Sequence, residues 1–353
     1  MLQRKRGCLA GGQPEWYRRR VNVRQDKERC KERYAMVKIV IPDDFPPVIS
    51  GTPALARLQE LGEVTVYTSR PDTEAELIQR IQGAHTVVNI RGYSKFGEAV
   101  LRACPTLKHL AIWGTGTDNV DLEAAARLGI TVTNTPNTAT EAIAEHCIAL
   151  MLAVARNLIP INMQMRQGEW KRGMLTQLYG KTLGIIGTGV IGTRTAELGK
   201  GLGMEVIAWT FHPDPEKARR IGFQYIDSLD DLLQQSDVVS LHLRLSPQTE
   251  RLINAEKLAL MKPTAIFINT ARGAIVDQQA LYQALKAGKL AGAGLDVFVQ
   301  EPIDPQDPLL QLSNVVLTPH TAGTTPEALQ QGLNMAAENV AAFLQGTVQN
   351  RVV

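Results

Sequence analysis

Long apolar runs, paired cysteines and a strong net charge are all missing from this sequence. The longest uninterrupted apolar run, 147–155, is far too short to cross a bilayer, so no membrane span is expected. The four cysteines show no Cys-x-x-Cys or other metal-ligand spacing, which predicts free thiols in a reducing cytoplasm and no metal site. An apolar share of 44% and a charged share of 21% are typical of a soluble globular protein, and 353 residues are enough for two domains.

The small net charge of +3 is unevenly distributed along the chain. Residues 1–35 hold eleven Lys/Arg and four Asp/Glu, a balance of +7, whereas the rest holds 27 against 31, a balance of −4. The body of the protein is therefore mildly acidic, and its composition does not predict a nucleic-acid-binding surface.

The basic segment 1–35 lacks both an apolar run after its arginines and any Ser or Thr. A secretory signal needs such an apolar run, and a transit peptide is rich in serine, so neither is expected. We interpret 1–35 as a disordered, solvated tail. Met36 directly precedes the apolar run 37–42, which makes Met36 the expected start of the native protein.

From Met36 onward, short apolar runs alternate with segments of helical periodicity, the pattern of parallel sheet with helical crossovers. Helices are predicted at 53–61 and 74–81, and a long one from Thr140 to about Asn157. The first five predicted strands are 37–41, 64–68, 85–90, 107–112 and 131–134. Six more strands are predicted within 181–187, 204–209, 237–243, 264–270, 290–297 and 315–319.

A G-x-G-x-x-G fingerprint follows the predicted strand 182–186 and opens a predicted helix, 191–202. Its first glycine permits a tight turn, its second lets a pyrophosphate approach the backbone, and its third lets helix and strand pack closely. The fingerprint alone is weak, but strand, helix and spacing together predict a dinucleotide site. The expected contacts are Gly187, Thr188, Gly189, Val190, Ile191 and Gly192.

The choice between NAD and NADP depends on the end of the next strand, where NAD enzymes place an acid that binds the adenosine ribose. Thr210 stands there, and Asp214 comes too late in the turn. Without the carboxylate, NADP is permitted, although Thr210 bonding the ribose of NAD fits equally well. The cationic candidates for a 2′-phosphate are His212, Arg219, Arg220 and Arg244.

Arg272, Glu301 and His320 follow predicted strands at the edge where open parallel sheets bind ligands. A guanidinium can hold a carboxylate in a bidentate fork and polarise an adjacent carbonyl. A histidine suits acid–base work near neutral pH, and a carboxylate on its second nitrogen would fix the tautomer.

Asp296 ends the predicted strand 290–297 within reach of a nicotinamide, although a buried Asp satisfied by backbone amides is an equally open interpretation. Thr270 and Ala271 sit at the end of 264–270 and are predicted cofactor contacts as well. The remaining five histidines have no such polar company in the sequence and are interpreted as structural.

From Val37 to Val353 the chain resembles the D-isomer-specific 2-hydroxyacid dehydrogenase family, including its glyoxylate/hydroxypyruvate reductase and phosphoglycerate dehydrogenase branches. The motifs that match are GTGTDNVD (114–121), NTP (134–136), GKTLGIIGTGVIG (180–192), INTARGAIVD (268–277), GLDVFVQEP (294–302) and TPHTAG (318–323). The resemblance implies a Rossmann NAD(P)-binding domain, 139–324, inserted in a flavodoxin-like substrate domain, 36–138 and 325–353. The final helix, from Pro326 to Leu344, is expected to cross back onto that first domain.

The resemblance also assigns roles. It implies that Arg272 binds substrate, that Glu301 and His320 form the acid–base pair, and that Asp296 contacts nicotinamide. It implies that the loop RGYSKF binds the substrate carboxylate through its backbone, and that members pair as homodimers through the cofactor domain, with the substrate cleft between domains. The substrate candidates are therefore Arg91, Gly92, Tyr93 and Ser94.

Four positions depart from the family pattern: Thr210 and Arg244 bear on cofactor choice, and Ala139 and Gly92 on substrate choice. Glu301, where formate dehydrogenases have glutamine, argues against that branch. The chain ends at Val353, so no regulatory extension of the phosphoglycerate dehydrogenase type is expected.

The expected reaction is the reversible reduction of a 2-keto acid to a D-2-hydroxy acid, with glyoxylate, hydroxypyruvate or pyruvate as plausible substrates. Two alternatives remain open from the sequence. One is a non-catalytic, cofactor-sensing protein like the corepressors that share this fold, and the other is a dehydrogenase of another small anion such as phosphite.

Overall fold

The computed structural model describes residues 36–353, which form two compact units. One unit contains residues 36–136 together with Gln330–Val353, and the other is Asn137–Leu329. Each is built on a fully parallel sheet, so the predicted α/β class with two doubly wound domains is confirmed. The predictions for the tail 1–35, including Cys8 and Cys30, lie outside the described residues.

The first unit has a five-stranded sheet in the order β2-β1-β3-β4-β5, the flavodoxin-like order. Because this order reverses direction beside β1, the carboxyl ends of β1 and β3 form a topological switch point, where open sheets bind ligands. The strands are β1 (Lys38–Ile41), β2 (Glu63–Val66), β3 (Thr86–Asn89), β4 (His109–Ile112) and β5 (Thr131–Thr133). The crossover helices are α1 (Pro53–Leu61), α2 (Glu74–Ile81), α3 (Glu98–Arg102) and α4 (Leu122–Arg127).

Local sequence explains these elements. β3 and β4 are buried at every position, so they do not alternate between apolar and polar side chains. Their polar members, Thr86, Asn89 and His109, lie at the strand ends. α1 and α2 begin where Thr52 and Thr73 accept hydrogen bonds from backbone amides of the first turn, the usual N-cap contact.

The second unit opens with α5 (Thr140–Ala155) and α6 (Leu158–Arg166) and then builds a seven-stranded sheet in the order β12-β11-β10-β9-β6-β7-β8. Reading outward from β6, this is the Rossmann order with one added strand at the far edge. The strands are β6 (Thr182–Ile186), β7 (Glu205–Trp209), β8 (Gln224–Tyr225), β9 (Val238–Leu241), β10 (Ile266–Asn269), β11 (Gly292–Leu295) and β12 (Val315–Leu317). The helices between them are α7 (Val190–Gly201), α8 (Pro215–Ile221), α9 (Leu229–Gln235), α10 (Ala255–Ala259) and α11 (Gln278–Lys286).

Six of these seven strands were expected from the sequence, and β8 was missed. It has only two residues, Gln224 and Tyr225, and neither belongs to an apolar run. A strand this short at the sheet edge leaves no periodic signal, so its pairing with β7 is decided by tertiary structure.

The last helix, α12 (Pro326–Leu344), belongs to the first unit from Gln330 onward. Asn339 donates from Nδ2 to the carbonyl of Asn134 at 2.8 Å, and Glu338 pairs with Arg57 at 3.0 Å. After the helix, Arg351 forms an antiparallel bridge with Thr133 of β5. These contacts tie the end of the chain to the first unit.

Among the described residues, no single helix is long and apolar enough to cross a membrane. α5 and α6, bent by 61° at the break between them, meet the length and composition criteria only when taken together. α5 buries Cys147, Leu150 and Met151 in the core of the second unit. Its apolar character therefore reflects core packing, as a buried helix requires.

His109 of β4 is a fully buried histidine in the first unit. Its Nε2 lies 2.9 Å from Oγ1 of Thr133, and its ring stacks on Phe343 of α12 at 4.5 Å between centroids. Burial lowers the pKa of His109 from 6.5 to about 3, so the folded protein keeps this ring neutral.

This predicts acid-sensitive stability. Below pH 6.5, His109 becomes protonated in the unfolded chain but stays neutral in the folded chain. Its contribution to the free energy of unfolding is therefore full above pH 6.5 and is lost as the pH falls toward its folded pKa of about 3. We expect the free energy of unfolding to fall by up to roughly 1.4 kcal/mol per pH unit from this residue. Measured by urea unfolding between pH 7 and 4.5, the free energy of unfolding should decline less steeply in His109→Gln than in the wild type.

His212→Gln, at an exposed histidine of the other unit, is the matched control and should keep the wild-type slope. A His109→Gln variant that declines as steeply as the wild type would contradict the assignment.

Candidate active site

The glycine turn lies between β6 and α7, at the carboxyl edge of the second sheet. Gly187 has φ +97°, in the region that favours glycine, and a Cβ on Gly192 would lie 2.0 Å from the carbonyl oxygen of Gly187. Gly189, by contrast, faces open space, and it caps α7 without a side-chain hydrogen bond. The first-turn amides of this 12-residue helix are thus left for an anion, so the turn fits the pyrophosphate of a dinucleotide.

The predicted contacts flank this turn. Thr188 is buried, whereas Val190 at the start of α7 is 52% exposed and Ile191 is half-buried. Gly187 donates its amide to Trp209 at the end of β7, which brings the turn beside Thr210. The threonine thus stands where an adenosine-binding acid would, and its side chain is half-buried.

At the glycine turn, the structure identifies a cation that sequence reasoning missed. Nζ of Lys217, on α8, donates to the carbonyl of Thr188 at 3.0 Å, and the hydroxyls of Thr188 and Tyr225 are 2.9 Å apart. Asp214 caps α8 by accepting from the amides of Glu216 and Lys217, and so has a structural role. The cations predicted from the sequence are all exposed, and none makes a described contact with the turn: His212, Arg219, Arg220 and Arg244.

Arg272 follows β10 in a turn that Asn269 braces from both sides. The Asn269 side chain accepts from the Ala271 amide at 2.9 Å and donates to the Arg272 carbonyl at 3.0 Å. A Cβ on Gly273 would lie 2.0 Å from the backbone of Phe298, so only glycine lets this turn approach the loop that holds Glu301. Thr270 is nearly buried, with its hydroxyl 3.0 Å from the thiol of Cys147.

His320 and Glu301 are in direct contact. Nδ1 of His320 lies 2.7 Å from Oε2 of Glu301, whose other oxygen accepts from the amide of Phe298 at 3.0 Å. Burial alone would raise the pKa of Glu301, but the hydrogen bond with His320, helped by the charges of His320 and Arg272, holds it below its ordinary value. The carboxylate therefore stays ionised and fixes the proton of the imidazole on Nδ1, and Nε2 makes no hydrogen bond with another described residue.

Asp296, at the end of β11, is completely buried and holds the turn that carries His320. Its Oδ1 accepts from the Thr318 hydroxyl at 2.6 Å and the Thr321 amide at 2.9 Å, and its Oδ2 accepts from the Ala322 amide at 2.9 Å. His320 has φ +53°, uncommon for a residue with a side chain, and donates its amide to the Asp296 carbonyl at 2.8 Å. Asp296 thus acts on the site by positioning His320, and its contact with nicotinamide stays a prediction.

His146, on α5, joins the same network. Its Nε2 lies 2.9 Å from Oγ1 of Thr318 and 3.7 Å from Oδ1 of Asp296. Since the single proton of Thr318 goes to Asp296, His146 donates to Thr318. The interpretation of His146 as a histidine without polar company is therefore wrong. No sequence signal reveals the contact, because 172 positions separate the two residues.

The predicted substrate loop belongs to the first unit, at the carboxyl end of β3. Arg91 donates from Nη2 to the carbonyl of Pro46, and the hydroxyl of Tyr93 lies 3.1 Å from the carbonyls of Asp43 and Phe45. Ser94 is buried. Gly92 and Tyr93 donate no backbone hydrogen bond to any other described residue.

Among residues 36–353, no three His, Cys, Asp or Glu side chains are grouped so that they could hold a metal ion. Cys104 and Cys147 are buried free thiols, and burial raises the pKa of Cys147 to about 11. The site in the second unit therefore offers a guanidinium, an imidazole–carboxylate pair and a glycine-lined anion cradle.

Comparison with known proteins agrees with this set of groups. Residues 148–322 match the family model of the D-isomer specific 2-hydroxyacid dehydrogenase, NAD binding domain. A glyoxylate reductase of Korarchaeum cryptofilum is 39% identical over 306 residues, which cover 85% of this chain and 92% of that protein. A D-3-phosphoglycerate dehydrogenase of Methanocaldococcus jannaschii is 39% identical over 321 residues, 90% of this chain and 59% of that longer protein.

A solved structure, the TT0316 protein from Thermus thermophilus, superposes with a TM-score of 0.81 at 39% identity, covering 90% of this chain and 100% of that one. Sequence similarity, the inserted Rossmann sheet and the grouped site residues thus agree. The chain is an NAD(P)-dependent oxidoreductase acting on CH–OH groups, and it belongs to the D-isomer-specific 2-hydroxyacid dehydrogenase family.

Proposed function

We propose that this protein interconverts small 2-keto acids and D-2-hydroxy acids, with His320 as the acid–base group and Glu301 as its partner. The observation that supports this most directly is the 2.7 Å contact between Nδ1 of His320 and Oε2 of Glu301. Relatives named glyoxylate reductase and D-3-phosphoglycerate dehydrogenase favour a short, anionic substrate such as glyoxylate or hydroxypyruvate.

The roles of the side chains follow from their chemistry. The bound nicotinamide supplies the hydride that the carbonyl carbon receives. Arg272 binds the substrate carboxylate and polarises the neighbouring carbonyl, since a guanidinium offers paired donors in one plane. His320, protonated on both nitrogens and held by Glu301, donates its Nε2 proton to the carbonyl oxygen. In the reverse direction the neutral imidazole accepts that proton.

The loop 91–94 is the proposed second contact for the substrate carboxylate. It follows β3 at the switch point of the first sheet, and the amides of Gly92 and Tyr93 are not used by other described residues. Successive unpaired amides in a turn form an anion-binding concavity. Arg91 and Ser94 border these amides.

For the cofactor we propose a preference for NADPH that depends on Lys217. This ammonium group lies 3.0 Å from the carbonyl of Thr188 in the glycine turn, and Thr210 supplies no negative charge that would repel a 2′-phosphate. A lysine beside the adenosine ribose adds a point charge that favours the phosphorylated sugar.

We also propose that the protein forms a homodimer through the second unit. Large apolar side chains on and after α6 are exposed: Leu158, Ile159, Met163, Met165, Trp170, Met174, Leu175 and Tyr179. A concentration of this kind is rare on a surface that stays in water and is typical of a protein–protein interface. We name it the arm surface.

The catalytic proposal predicts a large loss of turnover on changing His320. In His320→Ala, kcat for reduction of glyoxylate or hydroxypyruvate should fall by about 10²–10⁴-fold, the usual contribution of a positioned acid. Cofactor affinity, measured by nucleotide fluorescence, should stay within twofold. Glu301→Gln should lower kcat less than His320→Ala does, because the imidazole stays in place while the imidazolium loses its charged partner.

His212→Ala, at an exposed histidine, serves as the control and should behave as the wild type. Unchanged kcat in His320→Ala would remove that residue from the mechanism. A wild type that binds NADPH yet reduces neither glyoxylate, hydroxypyruvate nor pyruvate would favour the corepressor-like alternative. Oxidation of phosphite would instead identify a dehydrogenase of another small anion.

The cofactor proposal predicts a change confined to one nucleotide. Lys217→Met should raise the KM for NADPH at least tenfold and leave the KM for NADH within twofold, because only NADPH has the 2′-phosphate. Lys289→Met, the same change at an exposed lysine of the second unit, is the matched control. Equal changes with both nucleotides would show that Lys217 supports the glycine turn without selecting the cofactor.

The assembly proposal predicts that a charge in the arm surface separates the subunits. Met163→Asp should shift the mass measured by light scattering at micromolar concentration from that of a dimer toward that of one chain. Val352→Asp, at an exposed apolar residue of the first unit, should leave the mass unchanged. A wild-type protein that is monomeric under these conditions would refute the proposal.

A further inference from the structure

Three buried polar side chains lie beneath the loop 91–94, and the proposed function does not account for them. Asp43 follows β1, Asn89 ends β3, and Asn119 follows β4. They are 0%, 1% and 7% exposed, respectively. Buried groups of this polarity cost free energy unless each is paired, so their arrangement needs a reason.

We infer that Asp43, Asn89 and Asn119 form a hydrogen-bonded relay that positions the loop 91–94 to receive the substrate carboxylate. This inference rests on the proposed function for the identity of the ligand. Asp43 and the two asparagines are positioning residues, because they act through the loop and do not themselves touch substrate. We name the three side chains the amide relay.

The hydrogen bonds of the amide relay run in one direction. Nδ2 of Asn89 donates to Oδ2 of Asp43 at 2.7 Å and to the carbonyl of Arg91 at 2.9 Å. Nδ2 of Asn119 donates to Oδ1 of Asn89 at 2.8 Å and to the carbonyl of Ser94 at 2.9 Å. Both side-chain amides therefore use all their protons, and the carbonyls at both ends of the loop become acceptors for the protein interior.

The direction of those two carbonyls matters for the anion. With the Arg91 and Ser94 oxygens occupied from within, the amides of Gly92 and Tyr93 between them are left without a partner among the described residues. The Tyr93 hydroxyl, 3.1 Å from the carbonyls of Asp43 and Phe45, anchors the middle of the loop to the same place. A loop fixed in this way meets an anion with its donors already oriented.

Asp43 determines which way the relay points. Two donors converge on its carboxyl group, Nδ2 of Asn89 at 2.7 Å and the amide of Ile90 at 3.4 Å. Burial raises the pKa of Asp43 to about 6, against the opposing effects of the Ile90 amide and the Arg91 charge. The carboxyl group is therefore mainly ionised at neutral pH. An ionised carboxylate only accepts hydrogen bonds, which forces the Asn89 amide to face it with nitrogen and to face Asn119 with oxygen.

Asparagine at position 43 has nearly the same shape as aspartate, but its NH2 group places a hydrogen-bond donor where Asn89 and Ile90 already donate. In Asp43→Asn, measured with saturating NADPH, we expect the KM for the 2-keto acid to rise at least tenfold. The values of kcat and of the KM for NADPH should stay within twofold, since the hydride and proton donors belong to the other unit. The matched control is Asp72→Asn, the same change at an exposed position of the first unit.

The conformational order of the loop 91–94 can also be measured without turnover. Hydrogen–deuterium exchange of a peptide spanning 88–97 should be faster in Asp43→Asn than in the wild type and in Asp72→Asn, at the same pH. Asn119→Ala, which removes only the contacts with Asn89 and Ser94, should raise both the KM and the exchange rate, and it covers the case in which Asp43→Asn does not fold.

Different results would refute the proposed function and the amide relay. A wild type that turns over no 2-keto acid refutes the proposed function, and the exchange measurement then still tests the relay. A wild type that is active, with Asp43→Asn unchanged in substrate KM and in exchange of 88–97, refutes the relay and leaves the proposed function intact.

Discussion

The parallel direction of every strand is the constraint on which this protein depends. In each unit all strands end at one edge of the sheet, so the loops that follow them meet there although they are far apart in sequence. The glycine turn after β6, Arg272 after β10 and the His320 turn after β12 all use the edge of the second sheet. The loop 91–94 uses the corresponding edge of the first, beside its topological switch point.

Each edge is organised by a buried carboxylate that accepts hydrogen bonds at or beside a loop. Asp296 accepts from the amides of Thr321 and Ala322 and fixes the turn of His320. Asp43 accepts from Asn89 and from the Ile90 amide below the proposed substrate loop. A buried carboxylate is costly to desolvate, but with several donors around it the arrangement specifies one backbone conformation. In both units a buried carboxylate thus fixes the backbone conformation at the edge of the sheet.

Close backbone contact is the second means of orientation. Gly192 packs against the Gly187 carbonyl, and Gly273 packs against the backbone of Phe298, at distances that leave no room for a Cβ. The first contact shapes the anion cradle, and the second brings the Arg272 turn against the loop of Glu301. The ionised state of Glu301 reflects this convergence, because His320 and Arg272 both lower its pKa.

The sequence by itself determined the features that depend on neighbours along the chain. Apolar runs marked eleven of the twelve strands, the spacing of Gly187, Gly189 and Gly192 marked the cofactor turn, and local motifs singled out Arg272, Glu301 and His320. Only the tertiary structure decided which distant groups pair: His146 with Thr318, Lys217 with Thr188, and Asp43 with Asn89 and Asn119. The physical reason is that these hydrogen bonds join different strands and helices, so their partners are set by strand order and packing rather than by spacing in the chain.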